Sequence, residues 1–259
     1  MIRVGVSGVA GRMGRLVAEA VAAAPDLDLA EGYDPGAAGQ AVSGIRIGAD
    51  PEAMGAAEVV VEFTNPAVVL DNLARWRSLG LHAVVGTSGF DAARLDALRA
   101  IWGSGPARCL VVPNFSIGAV LMMRFAAAAA PHFAAAEIVE QHHDRKADAP
   151  SGTALATAAG MAAAGGRQSR AVESRETVAG ARGAAVEGVR VHAVRLPGLL
   201  AHQEVILGSP GETLTIRHDT TDRAAFLPGV LLAIRRVASL PDPVTVGLEA
   251  LLELQPPSQ

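Results

Sequence analysis

Residues 140–154 read Glu-Gln-His-His-Asp-Arg-Lys-Ala-Asp-Ala-Pro-Ser-Gly-Thr-Ala, and within them His142, His143, Arg145 and Lys146 place two imidazoles, a guanidinium and an ammonium inside five residues. The apolar alternation of residues 136–139 predicts a strand running into this stretch. The Ala-rich run 154–164, behind Pro150-Ser151-Gly152-Thr153, predicts a capped helix leaving it. Cations beside the N–H groups of Ser151, Gly152 and Thr153, at a helix start whose dipole favours negative charge, form a loop suited to an anion such as a carboxylate. An imidazole there titrates near neutral pH and can hand a proton to a reacting carbon. A His-His pair taken alone more often marks a solvated basic loop whose imidazoles cap backbone groups. Metal binding is disfavoured, because adjacent imidazoles diverge and no cysteine stands near.

Such a loop needs a scaffold and a second reactant, and the N-terminus offers both. Residues 2–7 are an apolar run, Gly8-Val9-Ala10-Gly11-Arg12-Met13-Gly14 is a glycine loop, and residues 16–24 continue as an apolar-rich helix ended by Pro25. Strand, glycine turn and helix open a dinucleotide-binding unit, in which glycines admit the pyrophosphate and the helix start binds it. The spacing is Gly-x-x-Gly-x-x-Gly, and the glycines alone fit a tight strand-to-helix turn equally well. A second strand, 27–33, ends at Asp34, about 20 residues past Gly14, where an acid is expected to accept hydrogen bonds from the adenine ribose of NAD. Glu31 is its rival if the strand tips it outward. No Arg or Lys follows before Arg46, so a 2′-phosphate would meet a carboxylate. NADH is therefore expected to serve at least as well as NADPH, with Arg12 or Arg46 as the routes by which NADPH is accepted.

Strands at 59–63, 82–85 and 109–112 alternate with helices at 67–79 and 92–102, which predicts an α/β fold with a Rossmann-like doubly wound parallel sheet. Residues 40–55 read as connection. After residue 117 the alternation gives way to a helix reaching 130, the strand ending at His142, the anion loop and the helix to 164. Residues 165–188 are polar and rich in Gly and Arg, and read as a mobile or intersubunit loop. Strand-like runs at 189–196, 202–207 and 213–218 predict a second α+β domain built on a small mixed sheet. A helix at 227–237 and an apolar segment at 244–254 close the chain.

Composition narrows the function classes. The 259 residues suffice for one large or two modest domains, and a chain 50% hydrophobic, 19% charged and of net charge -4 has no global reason to bind nucleic acid or an anionic membrane. The one cysteine, Cys109, cannot form an internal disulfide, and no apolar run has the length of a membrane span or the form of a signal peptide, so a cytoplasmic location is expected.

The string His-His-x-x-Lys-x-Asp-Ala-Pro-Ser-Gly-Thr-Ala at 142–154 resembles the signature of the dihydrodipicolinate reductase family. The likeness runs from the glycine loop through this string to residues 192–198, His202-Gln203-Glu204 and the C-terminal helix. It implies reduction of 4-hydroxy-tetrahydrodipicolinate to tetrahydrodipicolinate by NAD(P)H in the diaminopimelate route to lysine, as hydride transfer followed by protonation of an enamine. It implies a dinucleotide domain of residues 1–116 completed by 226–259, and a substrate-binding and oligomerisation domain of 117–225 in a homotetramer. Cofactor contacts would come from Gly8, Val9, Ala10, Gly11, Arg12, Met13 and Asp34, from Gly86, Thr87 and Ser88 beside the nicotinamide, and from Val112, Pro113, Asn114 and Phe115. Ser88 stands where the family usually has Thr and retains the hydroxyl, while Phe115 fits a plain core residue as well. His142 would be the acid and Lys146 would bind a carboxylate or assist the proton transfer. His143, Ser151, Gly152 and Thr153 would hold the dicarboxylate, without a metal. A dehydrogenase of aspartate or homoserine and a non-catalytic dinucleotide sensor are the competing readings.

Overall fold

The computed structural model describes residues 1–166 and 175–252; of these, residues 1–117 with 226–252 form one unit, and residues 118–166 with 175–225 form another. In the first unit β1 (Ile2–Ser7), β2 (Leu27–Tyr33), β5 (Val59–Glu62), β6 (His82–Val85), β7 (Cys109–Val111) and β13 (Val244–Val246) form one parallel sheet, ordered β13-β7-β6-β5-β1-β2. Their β-branched runs are buried on both faces, as in Val59-Val60-Val61. The helices are α1 (Arg12–Ala23), α2 (Val69–Ser78), α3 (Ala92–Trp102) and α6 (Leu227–Arg236). The chain runs from β1 outward to β2, then returns to the other side of β1 at β5. This reversal opens a crevice at the carboxyl ends of β1 and β5, where doubly wound sheets bind ligands.

Two segments of this unit differ from the sequence reading. Residues 40–55 contain a hairpin of β3 (Ala41–Val42) and β4 (Ile45–Arg46), turned by Ser43 and Gly44 at φ 46° and 88°. The last apolar segment is a strand and a 3-10 turn, Leu248–Leu251, rather than a continuous run. Pro241 and Pro243 precede it, Gly247 at φ 97° follows the strand, and Val244-Thr245-Val246 completes the sheet beside β7.

The second unit holds α4 (Ile117–Ala129), whose first residue ends the first unit, with β8 (Ala135–His142), α5 (Gly152–Ala163), β9 (Ala184–Val186), β10 (Val189–Arg195), β11 (Ala201–Ser209) and β12 (Glu212–Thr220). Its sheet is ordered β12-β11-β8-β10-β9, with β8 and β10 parallel and the other neighbours antiparallel. Part of the expected loop at 165–188, residues 167–174, lies outside the described residues. Residues 184–186 of it are instead β9, paired with β10 through a turn at Glu187 and Gly188 with φ 49° and 85°.

Ala136, Ile138, Val191, Val205 and Leu207 cover one face of this sheet and pack against Ala154, Ala158 and Met161 of α5 and Ala126 of α4. The period of two along β8 then puts Glu140 and His142 on that same helix-covered face. A carboxylate is thereby carried into the interior at the start of α5.

In the first unit α6 lies so close to the segment after β7 that a Cβ built on Gly229 would stand 2.0 Å from the Phe115 carbonyl oxygen. Backbone cannot yield as a side chain can. Gly229→Ala is expected to lower stability by about 1–3 kcal/mol, the usual cost of overpacking, as measured by denaturant unfolding. Unchanged stability would show that α6 can shift.

Candidate active site

Glu140 is completely buried, and its two oxygens accept four hydrogen bonds. Oε2 lies 2.6 Å from His142 Nδ1 and 2.9 Å from Arg195 Nη1, while Oε1 lies 3.0 Å from the Ser151 N–H and 2.9 Å from Arg195 Nη2. Arg195 stands in register beside His142 across the β8–β10 pairing, and its Nη2 also donates to the Asp148 carbonyl at 2.5 Å. Burial works against the Glu140 charge, but hydrogen bonds from Arg195 and His142 outweigh it and hold the carboxyl below the usual glutamate range. Burial pushes the His142 imidazole below its ordinary value, against the hydrogen bond and charge of Glu140 and with the repulsion of Lys146 and Arg195.

Beyond the strand, Lys146 Nζ lies 2.7 and 2.8 Å from the two oxygens of Asp148, and its hydrogen bond lowers the Asp148 pKa. His143 Nδ1 is buried with no hydrogen-bond partner among the described residues. Ser151 caps α5, its Oγ accepting from Ala154 N–H at 3.2 Å, and its own N–H is the one spent on Glu140. That N–H is therefore directed inward, which narrows the expected cradle of three backbone donors. Gly152 borders open space, since an added Cβ would meet nothing within 4 Å. His142, His143, Lys146, Ser151, Gly152 and Thr153 thus share one strand end, loop and helix start.

In the first unit, a cleft of about 340 Å³ at the β1/β5 crevice is lined by Gly8, Gly11, Tyr33, Asp34, Thr64 and Asn72 among others. The chain fits a dinucleotide here on two grounds. First, α1 has Gly11 at its N-cap, with no side-chain cap and no acid in the first turn, which leaves the helix start open to an anion. Second, a Cβ on Gly14 would lie 2.1 Å from the Gly8 carbonyl oxygen and one on Gly8, at φ 76°, 2.4 Å from that of Phe63, so bare backbone is required.

Asp34 lines this cleft; its Oδ2 accepts from the Ala10 N–H and its Oδ1 from the Gly36 N–H, both at 3.2 Å. The N–H groups of Gly8 and Val9 are tied to the Tyr33 carbonyl, and the Val9 side chain is buried. Arg12 is exposed at the first position of α1, with Met13 beside it. Arg46, also exposed, donates to the Gly39 carbonyl.

A second cavity, about 160 Å³, brings Gly86, Thr87 and Ser88 together with Val112 and Pro113 at the ends of β6 and β7. Thr87 is buried and its hydroxyl accepts from the Thr64 N–H, joining the β5 and β6 ends. Asn114 turns the chain by accepting from the Ser116 N–H at 2.9 Å. Phe115 is buried against Phe63 with ring centroids 5.6 Å apart, and both rings close over Gly86. Its side chain packs as a core residue.

Sequence reasoning passed over Glu140, Arg195 and Asp148. The available signal was periodic: Glu140 occupies the inward register of the strand that delivers His142. Arg195 lies in the 192–198 segment of the family likeness, but its role could not be read there because its partner is distant in the chain.

A parallel sheet with a glycine loop at its switch point in one unit, and a His-Lys anion loop in the other, define a two-unit NAD(P)H-dependent oxidoreductase. Residues 2–115 match the family described as dihydrodipicolinate reductase, N-terminus, and residues 118–252 match dihydrodipicolinate reductase, C-terminus. The chain belongs to the dihydrodipicolinate reductase family. It is 52% identical over 258 residues to the 4-hydroxy-tetrahydrodipicolinate reductase of Thermobifida fusca (strain YX), covering 98% of this chain and 100% of that one. It is 51% identical to that of Nocardia farcinica (strain IFM 10152), covering 98% and 99%. Among solved structures, the dipicolinate-bound dihydrodipicolinate reductase from Paenisporosarcina sp. TG-14 superposes with a TM-score of 0.86 at 35% identity, covering 97% of this chain and 100% of that one. An amine dehydrogenase from Mycobacterium smegmatis, at TM-score 0.65 and 16% identity over 98% and 97% of the two chains, shares the fold.

The two shifted groups at the β8 end both erode stability on the acid side. His142, depressed below 6.5, contributes stability that is present above 6.5 and lost as pH falls through its folded value. Glu140, depressed below 4.5, contributes stability that is present above 4.5 and lost as pH falls through its own folded value. His82 and His218, also depressed by burial, act in the same direction as His142. Thermal midpoints are expected to decline as pH drops below 6.5, and His142→Gln should reduce that decline between 6.5 and 4.5. An identical pH slope in the variant would count against a buried, neutral His142.

Proposed function

We propose that this chain reduces 4-hydroxy-tetrahydrodipicolinate to tetrahydrodipicolinate in the diaminopimelate route to lysine, with His142 as the proton donor and Lys146 as the carboxylate-binding cation. The observation that carries this is the join of Glu140-held His142 to the Lys146 loop and the α5 start, in a chain 52% identical along its length to a reductase of that name. When bound, the nicotinamide supplies the hydride. After loss of water from the 4-hydroxy form, hydride arrives at the ring and leaves an enamine, whose carbon His142 protonates. Lys146 exchanges Asp148 for a substrate carboxylate and offsets charge as it develops. His143, Ser151, Gly152 and Thr153 hold the diacid in the orientation that protonation needs.

In the first unit, Gly8, Val9, Ala10, Gly11, Arg12 and Met13 carry the dinucleotide, with Asp34 on its adenine ribose. Gly86, Thr87 and Ser88 flank the nicotinamide together with Val112, Pro113, Asn114 and Phe115. The Asp34 carboxylate supports use of NADH at least as well as NADPH. Assembly as a homotetramer is supported by the sheet face opposite α5, where Val139, Glu204 and Ile206 are only half-buried. A cytoplasmic setting is supported by Cys109, a free thiol whose pKa burial raises. No helix among the described residues is long and apolar enough to cross a membrane.

The test supplies pyruvate, aspartate semialdehyde and the upstream synthase, and follows loss of reduced nicotinamide absorbance. Turnover is expected here and not with aspartate or homoserine plus oxidised cofactor; the reverse pattern would reject the assignment. His142→Gln should lower turnover by about 10²–10⁴ with cofactor affinity nearly intact, and an unchanged turnover removes His142 as the acid. Asp34→Asn should raise the NADPH-to-NADH ratio of kcat/KM roughly tenfold, the equivalent of one charge-assisted hydrogen bond of about 1.5 kcal/mol. An unchanged ratio removes Asp34 from the ribose.

A further inference from the structure

We infer that Glu140, clamped by Arg195, is the positioning residue for His142, fixing the imidazole with a proton on Nδ1 so that Nε2 is the nitrogen that exchanges a proton with substrate. This rests on the reading of His142 as proton donor and deepens it.

The geometry leaves the carboxylate one arrangement. Glu140 takes two parallel bonds from Arg195, one from the Ser151 N–H and one from His142, so both oxygens are engaged inside the protein. An ionised carboxylate only accepts hydrogen bonds, so at 2.6 Å the His142 Nδ1 must be the donor. The tautomer follows from that bond, as it does wherever a second group orients an imidazole through its other nitrogen. Arg195 is itself held, through Nη1 on the Val194 carbonyl at 2.8 Å and Nη2 on the Asp148 carbonyl. One guanidinium therefore ties the carboxylate to the loop that bears Lys146.

A buried carboxylate also sets the charge balance of the imidazole. The charged groups facing His142 are Glu140 on its own strand, Arg195 on β10 and Lys146 in the following loop, with Asp148 countering Lys146 and the His143 imidazole adjacent in sequence. Glu140 is the group that favours the imidazolium, while Arg195 and Lys146 oppose it. Removing the Glu140 charge while both cations remain should make His142 a poorer holder of its proton. An acid must be protonated to act, so the alkaline limb of the rate profile should move to lower pH. A mere strut would lower activity at every pH and leave the limb in place.

The experiment uses the full chain. Nitrogen-15 NMR of the histidine rings, with the His142 signals identified by their loss in His142→Gln, is expected to show the neutral form protonated at Nδ1 in the wild type. An Nε2-protonated neutral form overturns the inference, and this measurement stands even if the variants fold poorly. In Glu140→Gln the His142 titration and the alkaline limb of kcat/KM should move down together by about 1 to 3 units, the usual reach of one nearby opposite charge. If His142→Gln abolishes turnover while the Glu140→Gln limb stays in place, the positioning role fails and the acid reading stands. If His142→Gln turns over normally, both fail.

Discussion

One carboxylate that must be charged in a place without water organises the second unit. Glu140 has no solvent exposure, and a lone ion there would cost several kcal/mol, so the surrounding chain is arranged to neutralise it. Arg195 from β10, the N–H of Ser151 at the N-cap of α5 and the imidazole at the end of β8 all converge on it. Three elements that could otherwise slide past one another are pinned at a single point. The alanine-lined packing of α5 on the sheet sets their spacing, and the carboxylate sets their register.

The first unit meets a different constraint, the close approach of backbone to backbone. Gly8, Gly14 and Gly229 all stand where a methyl group would lie within 2.4 Å of a carbonyl oxygen. Those contacts draw the glycine loop onto the β5 end and α6 onto the segment after β7. The buried Glu62 plays a quieter part, accepting from the Trp76 indole N–H at 2.8 Å and from Asn72 at 3.3 Å and so bracing α2 beneath the cleft. The start of α1 has no side-chain cap and no acid in its first turn, so an anion there would need no charged side chain.

Much of this was readable in advance where the determinants are local. The His-Lys loop, the glycine turn and the long strands announce themselves through spacing and periodicity; in the structure Gly8, Gly11 and Asp34 line one cleft, and Gly86, Thr87 and Ser88 line another with Val112 and Pro113. Short elements were not legible: β9 and β13 have three residues each, too few to show a period, and they become strands only because a neighbouring strand offers its edge. Glu140 and Arg195 escaped for another reason. A polar residue at an inward strand position looks like a break in the pattern until its counter-charge is known, and that counter-charge comes from another strand. Ser151 shows the converse: its place at a helix start was legible, but not that its N–H turns inward.

The pairing of Lys146 with Asp148 bears on selectivity. An ammonium already holding a carboxylate at 2.7 and 2.8 Å attracts a passing anion weakly, because its field is cancelled at short range. Under the proposed role of Lys146, capture would proceed by exchange, and the newcomer would have to give back what Asp148 surrenders. A small monoanion gains little from such a trade. If Lys146 takes a substrate carboxylate as proposed, a rigid diacid whose second carboxylate finds a partner of its own would gain more from the trade, and Asp148 would act as a decoy that screens for valence before any chemistry begins.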